Sequence, residues 1–217
     1  MVWYLVLAHL LGDFVLQTDW MVRRRDDLRV LTLHAGIHFA LMVLLIGSLR
    51  SVIWPYLLLL ALIHLGQDRI KNNITNQRPD WTKPFFVIDQ ALHFAVIFLL
   101  VWWFQKESGL LPIPGKHELV MIAIAFLFIS YVWFIVERIF NLSNTDYLQD
   151  LNSTKFPRML TRVGLVSLFL LIQVWFTSGM AVVFSNPYPQ KKFRQRAVLT
   201  DISVSLFAIF FLSWALG

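Results

Sequence analysis

Ionisable side chains recur four residues apart at four places in the first half of this chain: His9/Asp13, His34/His38, His64/Asp68 and Asp89/His93. The four pairs are two copies of one pattern, because adding 55 to each number of the first two pairs lands on the last two. The flanks agree: His38-Phe39-Ala40 and His93-Phe94-Ala95 match letter for letter, each running into apolar sequence. Residues i and i+4 lie on one helix face, about 6 Å apart along the axis. Each pair therefore aims two groups the same way. The chain around them is 58% hydrophobic with a mean hydropathy of +0.64, well above ordinary globular usage. In such sequence His and Asp are costly and mark functional positions.

The composition excludes a soluble domain and predicts an all-α fold, a polytopic transmembrane helical bundle whose first four spans are an internal repeat of two helical hairpins. Seven apolar segments approach the length needed to cross roughly 30 Å of hydrocarbon. They run over Val2–Gln17, Val30–Leu49, Val52–Ile70, Pro84–Phe104, Leu119–Phe140, Val163–Phe184 and Val198–Leu216. Pro55 and Pro84 fall in first turns, where proline is tolerated, and Asp80-Trp81-Thr82-Lys83 reads as the turn into the fourth span. The break at Gly109–Gly115, with Pro112 and Pro114, divides a metal-binding repeat, residues 1–105, from C-terminal membrane helices, residues 117–217. No basic segment precedes the first apolar stretch, so no cleaved signal peptide is expected.

Lysine and arginine set the orientation. Arg23, Arg24, Arg25 and Arg29 follow the first span, and Arg69, Lys71, Arg78 and Lys83 cluster after the third. The connection between spans two and three has only Arg50. The expected location is therefore the inner membrane, multi-pass, with the N-terminus outside and the first and third connections cytoplasmic. Lys155 and Arg158, read as a loop between spans five and six, agree, whereas Lys191, Lys192, Arg194 and Arg196 do not in a seven-span arrangement. The net charge of +6 reads as anionic-lipid contact, and no nucleic-acid partner is expected.

In an up-down bundle all four pairs fall in one leaflet, beside the basic loops. His9, His38, His64 and His93 form a deeper layer, and Asp13, His34, Asp68 and Asp89 a layer nearer the cytoplasm. Five imidazoles and three carboxylates exceed the roughly four ligands of one zinc ion, so two transition-metal ions are expected. There are no cysteines, and an imidazole and carboxylate set suits zinc first, with manganese or iron also accommodated. Some of the aspartates can instead orient histidines from behind, and polar pairing between helices is the bland alternative. Gln17 continues the His9/Asp13 face and Lys71 the His64/Asp68 face. Both are substrate-binding candidates for an anionic group, with interfacial snorkelling the alternative for Lys71 and capping for Gln17. Gln67 and Gln90 flank ligands, Gln173 reads as mid-span polar glue, His117 as a surface residue, and Glu137 and Arg138 as marking the end of span five.

His9-Leu10-Leu11-Gly12-Asp13-Phe14-Val15-Leu16-Gln17, the paired His34/His38, His64-x-x-x-Asp68-x-x-Lys71 and Asp89-Gln90-x-x-His93 resemble the prokaryotic membrane family called domain of unknown function 3307, over roughly residues 1–105. That family implies no activity. The arrangement is also distantly similar to membrane-bound metal-dependent hydrolases, and through them to the helical zinc phospholipase C and nuclease P1 group. Those enzymes hold zinc with HxxxD-type pairs and cleave phosphoesters. Their N-terminal tryptophan ligand has no counterpart in Trp3.

The expected function is a membrane-embedded metal-dependent hydrolase, phosphoesterase-like, acting on a lipid or amphiphilic (phospho)ester at the cytoplasmic leaflet. Asp13 and Asp89 are its catalytic carboxylates, and membrane lipid is both solvent and substrate. A divalent-metal or proton-coupled transporter is the alternative, though carriers place their sites near the midplane. A di-iron lipid oxygenase is the second alternative.

Overall fold

The computed structural model describes residues 1–47, 53–108, 117–172 and 191–216. Those residues form helices, their caps and short turns, with no strand among them. Two compact units result, Met1–Val120 and Met121–Gly217.

In the first unit α1, Val2–Leu10, runs on as a π-helical turn, Leu11–Leu16, that contains Asp13. Thr18 then caps the short α2, Asp19–Arg23, its hydroxyl accepting from the Met21 N–H at 3.4 Å. Asp27 caps α3, Leu28–Met42, by accepting the Arg29 N–H at 2.9 Å, a carboxylate satisfying a free amide at the positive helix end. A second π turn, Val43–Gly47, extends α3. Pro55 opens α4, Trp54–Gln77, and the turn Pro79–Trp81 leads into α5, Thr82–Ser108. α1 packs on α3 and α5, and α4 packs on the same two, closing a ring of four helices. Its polarity is inverted relative to a water-soluble bundle. The seven residues His9, His34, His38, His64, Asp68, Asp89 and His93 are buried, while Leu44, Leu62, Phe98, Leu99 and Trp102 point outward.

α4 continues two turns past Ile70, and those turns hold the α2–α3 connection. Arg25 Nη2 donates to Asn76 Oδ1 at 2.9 Å and Asn76 Nδ2 to Asp26 Oδ1 at 2.6 Å. Asn72 Nδ2 donates to the Arg25 carbonyl and Arg69 Nη1 to that of Asp26, both at 3.0 Å. Two of the basic residues read as orientation signals thus also pin a loop.

The second unit contains α6, His117–Leu127, whose first turn belongs to the first unit, a π turn Phe128–Val132, and α7, Trp133–Phe140. α8, Thr145–Ser153, α9, Lys155–Ile172, and α10, Lys191–Leu216, follow. Ala125, Ile129, Val166, Ala208 and Leu212 form its apolar core. Its polar core corrects the sequence reading. Arg158 is no loop cation: it lies in α9, 1% exposed, with Nη2 on Glu137 and Asp201 carboxylate oxygens at 2.8–3.0 Å. Glu137 is buried and also accepts from the Tyr147 hydroxyl, while Arg138 alone stays exposed. The basic run from Lys191 begins α10 and is not a loop. Burial, then the hydrogen bond to Glu137 and its charge, push the Tyr147 phenol up to about 12. Burial likewise raises the Asp150 carboxyl.

Among the described residues, four helices are long and apolar enough to cross a membrane: Leu28–Ile46, Pro79–Lys106, His117–Phe140 and Gln195–Ala215. Val2–Leu16 is apolar but shorter. These correspond to the second, fourth, fifth and seventh of the segments expected, and the sixth, Val163–Phe184, lies in part outside the described residues. α4 carries Asp68, Arg69 and Lys71 along its second half, and α9 carries Lys155, Arg158 and Arg162 along its first. Gln173 lies outside the described residues.

Candidate metal centre

The pairs spaced four apart converge at the centre of the four-helix ring. The His38 and His64 ring centroids are 3.9 Å apart, those of His64 and His93 4.3 Å, His9 and His93 5.0 Å, and His9 and His64 5.6 Å. Asp13 stands among imidazoles. Its Oδ1 lies 2.9 Å from His38 Nε2, 3.3 Å from His34 Nε2 and 3.6 Å from His64 Nε2, and its Oδ2 3.7 Å from His9 Nε2. Asp68 Oδ2 sits 3.4 Å from His64 Nε2 and 3.5 Å from His34 Nε2. Asp89 Oδ1 sits 3.4 Å from His93 Nε2. All eight residues named from the spacing therefore occupy one cluster.

Ligand atoms come within 4.8 Å of one another in three overlapping groups: His9/Asp13/His38/His64, His34/His64/Asp68 and Asp68/Asp89/His93. Asp13 Oδ1, His38 Nε2 and His93 Nε2 are buried yet have no hydrogen-bond partner. The nearest groups to them are other ligand-type atoms, His38 Nε2 and Asp13 Oδ1 standing 2.9 Å apart and His93 Nε2 and Asp89 Oδ1 3.4 Å apart. Unpaired buried acceptors are rare in native interiors, and a cation between them removes the cost. The residues present thus fit a transition-metal ion.

Two glutamines orient the rings. His93 Nδ1–H donates to Gln67 Oε1 at 2.7 Å, leaving the Nε2 lone pair aimed into the cluster. His9 Nε2–H donates to Gln90 Oε1 at 3.2 Å, and Gln90 Nε2 donates to Asp13 Oδ2 at 3.0 Å. The four histidines read as the deeper layer line a cavity of about 20 Å³ with Leu5, Met42, Leu60, Gln67 and Ile97, room for about one water.

Lys71 is held rather than free. Its Nζ donates to Asp68 Oδ1 at 3.1 Å and Asp89 Oδ2 at 2.7 Å. Its side chain is 23% exposed against 8% or less for its neighbours in the cluster, which makes it the most accessible of these groups. Gln17 ends the π turn in extended backbone and takes part in none of the cluster contacts above. His117 is half-buried rather than a surface residue, its ring edge-on to Tyr4 at 6.1 Å, away from the cluster.

One residue escaped the sequence reading. A β-carbon at Gly12 would collide with the His38 ring at Cε1 and Nε2 and lie 2.8 Å from Nδ1. Only the bare backbone lets His38 reach Asp13. The available signal was Gly12 itself, next to Asp13 in an apolar helix, where the repeat offset of 55 places a glutamine, Gln67, at the corresponding position.

A family model described as "Protein of unknown function (DUF3307)" matches residues 1–114, just over half of the chain. Neither the curated proteins nor the solved structures contain a match to it.

Proposed function

The chain belongs to the DUF3307 family, and we propose that its first unit is a membrane-embedded, metal-dependent hydrolase of a lipid or other amphiphilic (phospho)ester. One observation carries the reading. Five imidazoles and three carboxylates converge inside an apolar helical ring, and Asp13 Oδ1, His38 Nε2 and His93 Nε2 are buried there without hydrogen bonds. Each such group costs roughly 1–3 kcal/mol if left unmet. Zinc suits the donor set best, with manganese or iron also compatible.

Apolar outward faces and four helices of sufficient length support a bilayer setting. The basic residues at the Lys71 end support a cytoplasmic mouth with the N-terminus outside. The two hairpins read as a pseudo-twofold pair about the membrane normal, as in parallel repeats. A bound ion polarises an ester oxygen and acidifies a water. Asp13 holds the ion. Asp89, beside the exposed edge of the cluster, accepts the proton of the attacking water. Lys71 spends two N–H donors on Asp68 and Asp89. An ammonium has three, so one remains for an anionic head group.

The test is turnover of a panel of phospholipids and lipid phosphates by detergent-purified protein with zinc or manganese. Product is expected, and its loss in Asp13→Asn and Asp89→Asn variants that still fold. Metal flux in proteoliposomes with no product across the panel would replace this reading by a carrier. A visible iron band would replace it by an oxygenase.

A further inference from the structure

We propose that this centre holds one divalent ion, among His9, Asp13, His38 and His64, and that the Lys71 ammonium takes the place of a second ion at Asp68 and Asp89. The inference rests on the metal reading above and goes beyond it in fixing how many ions bind and where.

Geometry gives the first argument. Asp68, Asp89 and His93 form one of the three groups able to surround an ion. Lys71 Nζ already lies there, 3.1 Å from Asp68 Oδ1 and 2.7 Å from Asp89 Oδ2. An ion bound to those carboxylates would stand about 2.0–2.2 Å from their oxygens, in the space the ammonium fills. The other end of the cluster differs: four imidazole nitrogens lie 2.9–3.7 Å from the Asp13 carboxylate oxygens, and Lys71 Nζ is hydrogen-bonded instead to Asp68 and Asp89. His9, Asp13, His38 and His64 supply four ligands, the number zinc takes, from α1, α3 and α4. Binding through His9 Nε2 would move its ring proton to Nδ1 and end the hydrogen bond to Gln90.

Charge gives the second argument. The three carboxylates carry three negative charges, Lys71 returns one, and a single divalent ion balances the other two. A second divalent ion would leave two uncompensated positive charges in a buried site, which is costly. The repeat gives the third. Two equivalent hairpins would offer two equivalent metal places, but the residue 55 positions before Lys71 is Leu16, exposed at 41%. The built-in cation exists on one side only.

The experiment counts metal per chain by elemental analysis and native mass spectrometry, on full-length protein equilibrated with zinc and freed of excess. One ion is expected in wild type and in Lys71→Arg, which keeps the charge, and two in Lys71→Met. Asp89→Asn is expected to keep its single ion, because that carboxylate faces Lys71. It decides the matter if Lys71→Met does not fold. Two ions in wild type, one in Lys71→Met, or loss of the ion from Asp89→Asn would each overturn the proposal while leaving a metal centre standing. No zinc in any variant, even on titration, would remove the metal reading and this inference with it.

Discussion

Replacing Gly12 by alanine is the smallest change that should disable the cluster. The added methyl would overlap His38 Cε1 and Nε2 and sit 2.8 Å from Nδ1, where ordinary contact is about 3.5–4.0 Å. Gly12 lies within a helical turn and is buried, so the ring must yield, by roughly 1 Å or more. His38 Nε2, now 2.9 Å from Asp13 Oδ1, would then stand near 4 Å, by the same rough displacement, too far to share an ion with it. Overpacking of this kind costs about 1–3 kcal/mol. Relieved by expelling the ring, the same energy appears as about a 5- to 150-fold loss of metal affinity. The assay is zinc affinity by competition with a chromophoric chelator, alongside thermal melting in detergent. Gly36→Ala and Gly66→Ala are the controls, since a β-carbon at either meets nothing within 4 Å. They should be neutral or stabilising by up to about 1 kcal/mol. A Gly12→Ala protein with wild-type zinc affinity and wild-type melting would refute the argument that close approach at this glycine places His38.

Three further outcomes are expected. Arg158→Ala strips the cation from buried Glu137 and leaves Asp201 with Arg162 alone, at 3.4 Å, and should destabilise the second unit by roughly 3–5 kcal/mol, read as an early melting transition; an unshifted melt would contradict the buried network. The Tyr147 phenol, held up to about 12 from 10.0, favours the folded state fully below pH 10, and that contribution is lost as pH rises through the folded value. Wild-type melting temperature should therefore fall more steeply between pH 10 and 12 than that of Tyr147→Phe, and parallel curves would count against the assignment. A cysteine at exposed Arg23, in this cysteine-free chain, should react with an impermeant thiol reagent only after the cytoplasmic face is opened, and labelling of intact cells would invert the orientation.

The sequence alone determined that the chain is helical, which positions carry ligand-type side chains, and which of them share a face. Helical period is local, so four-residue spacing reports a common face before any partner is known. The offset of 55 extended that to four helices. It put His9, His38, His64 and His93 in one layer, and these four do line one cavity. Partner choice across helices is another matter, because it depends on how each helix rotates and at what height it crosses its neighbour. Lys71 was legible as a residue on the His64/Asp68 face, but not as an ammonium shared between Asp68 and Asp89, the latter 18 residues from Lys71 and across a helix–helix contact. Glu137 and Arg158 read as span-end and loop charges because hydropathy registers their cost and not their compensation; only packing of α7, α8, α9 and α10 brings Glu137, Tyr147, Arg158 and Asp201 together. The π turn at Asp13 and the His38 ring against bare backbone at Gly12 belong to the same class. They are decided at distances below one side-chain diameter, where periodicity carries no information and tertiary contact carries all of it.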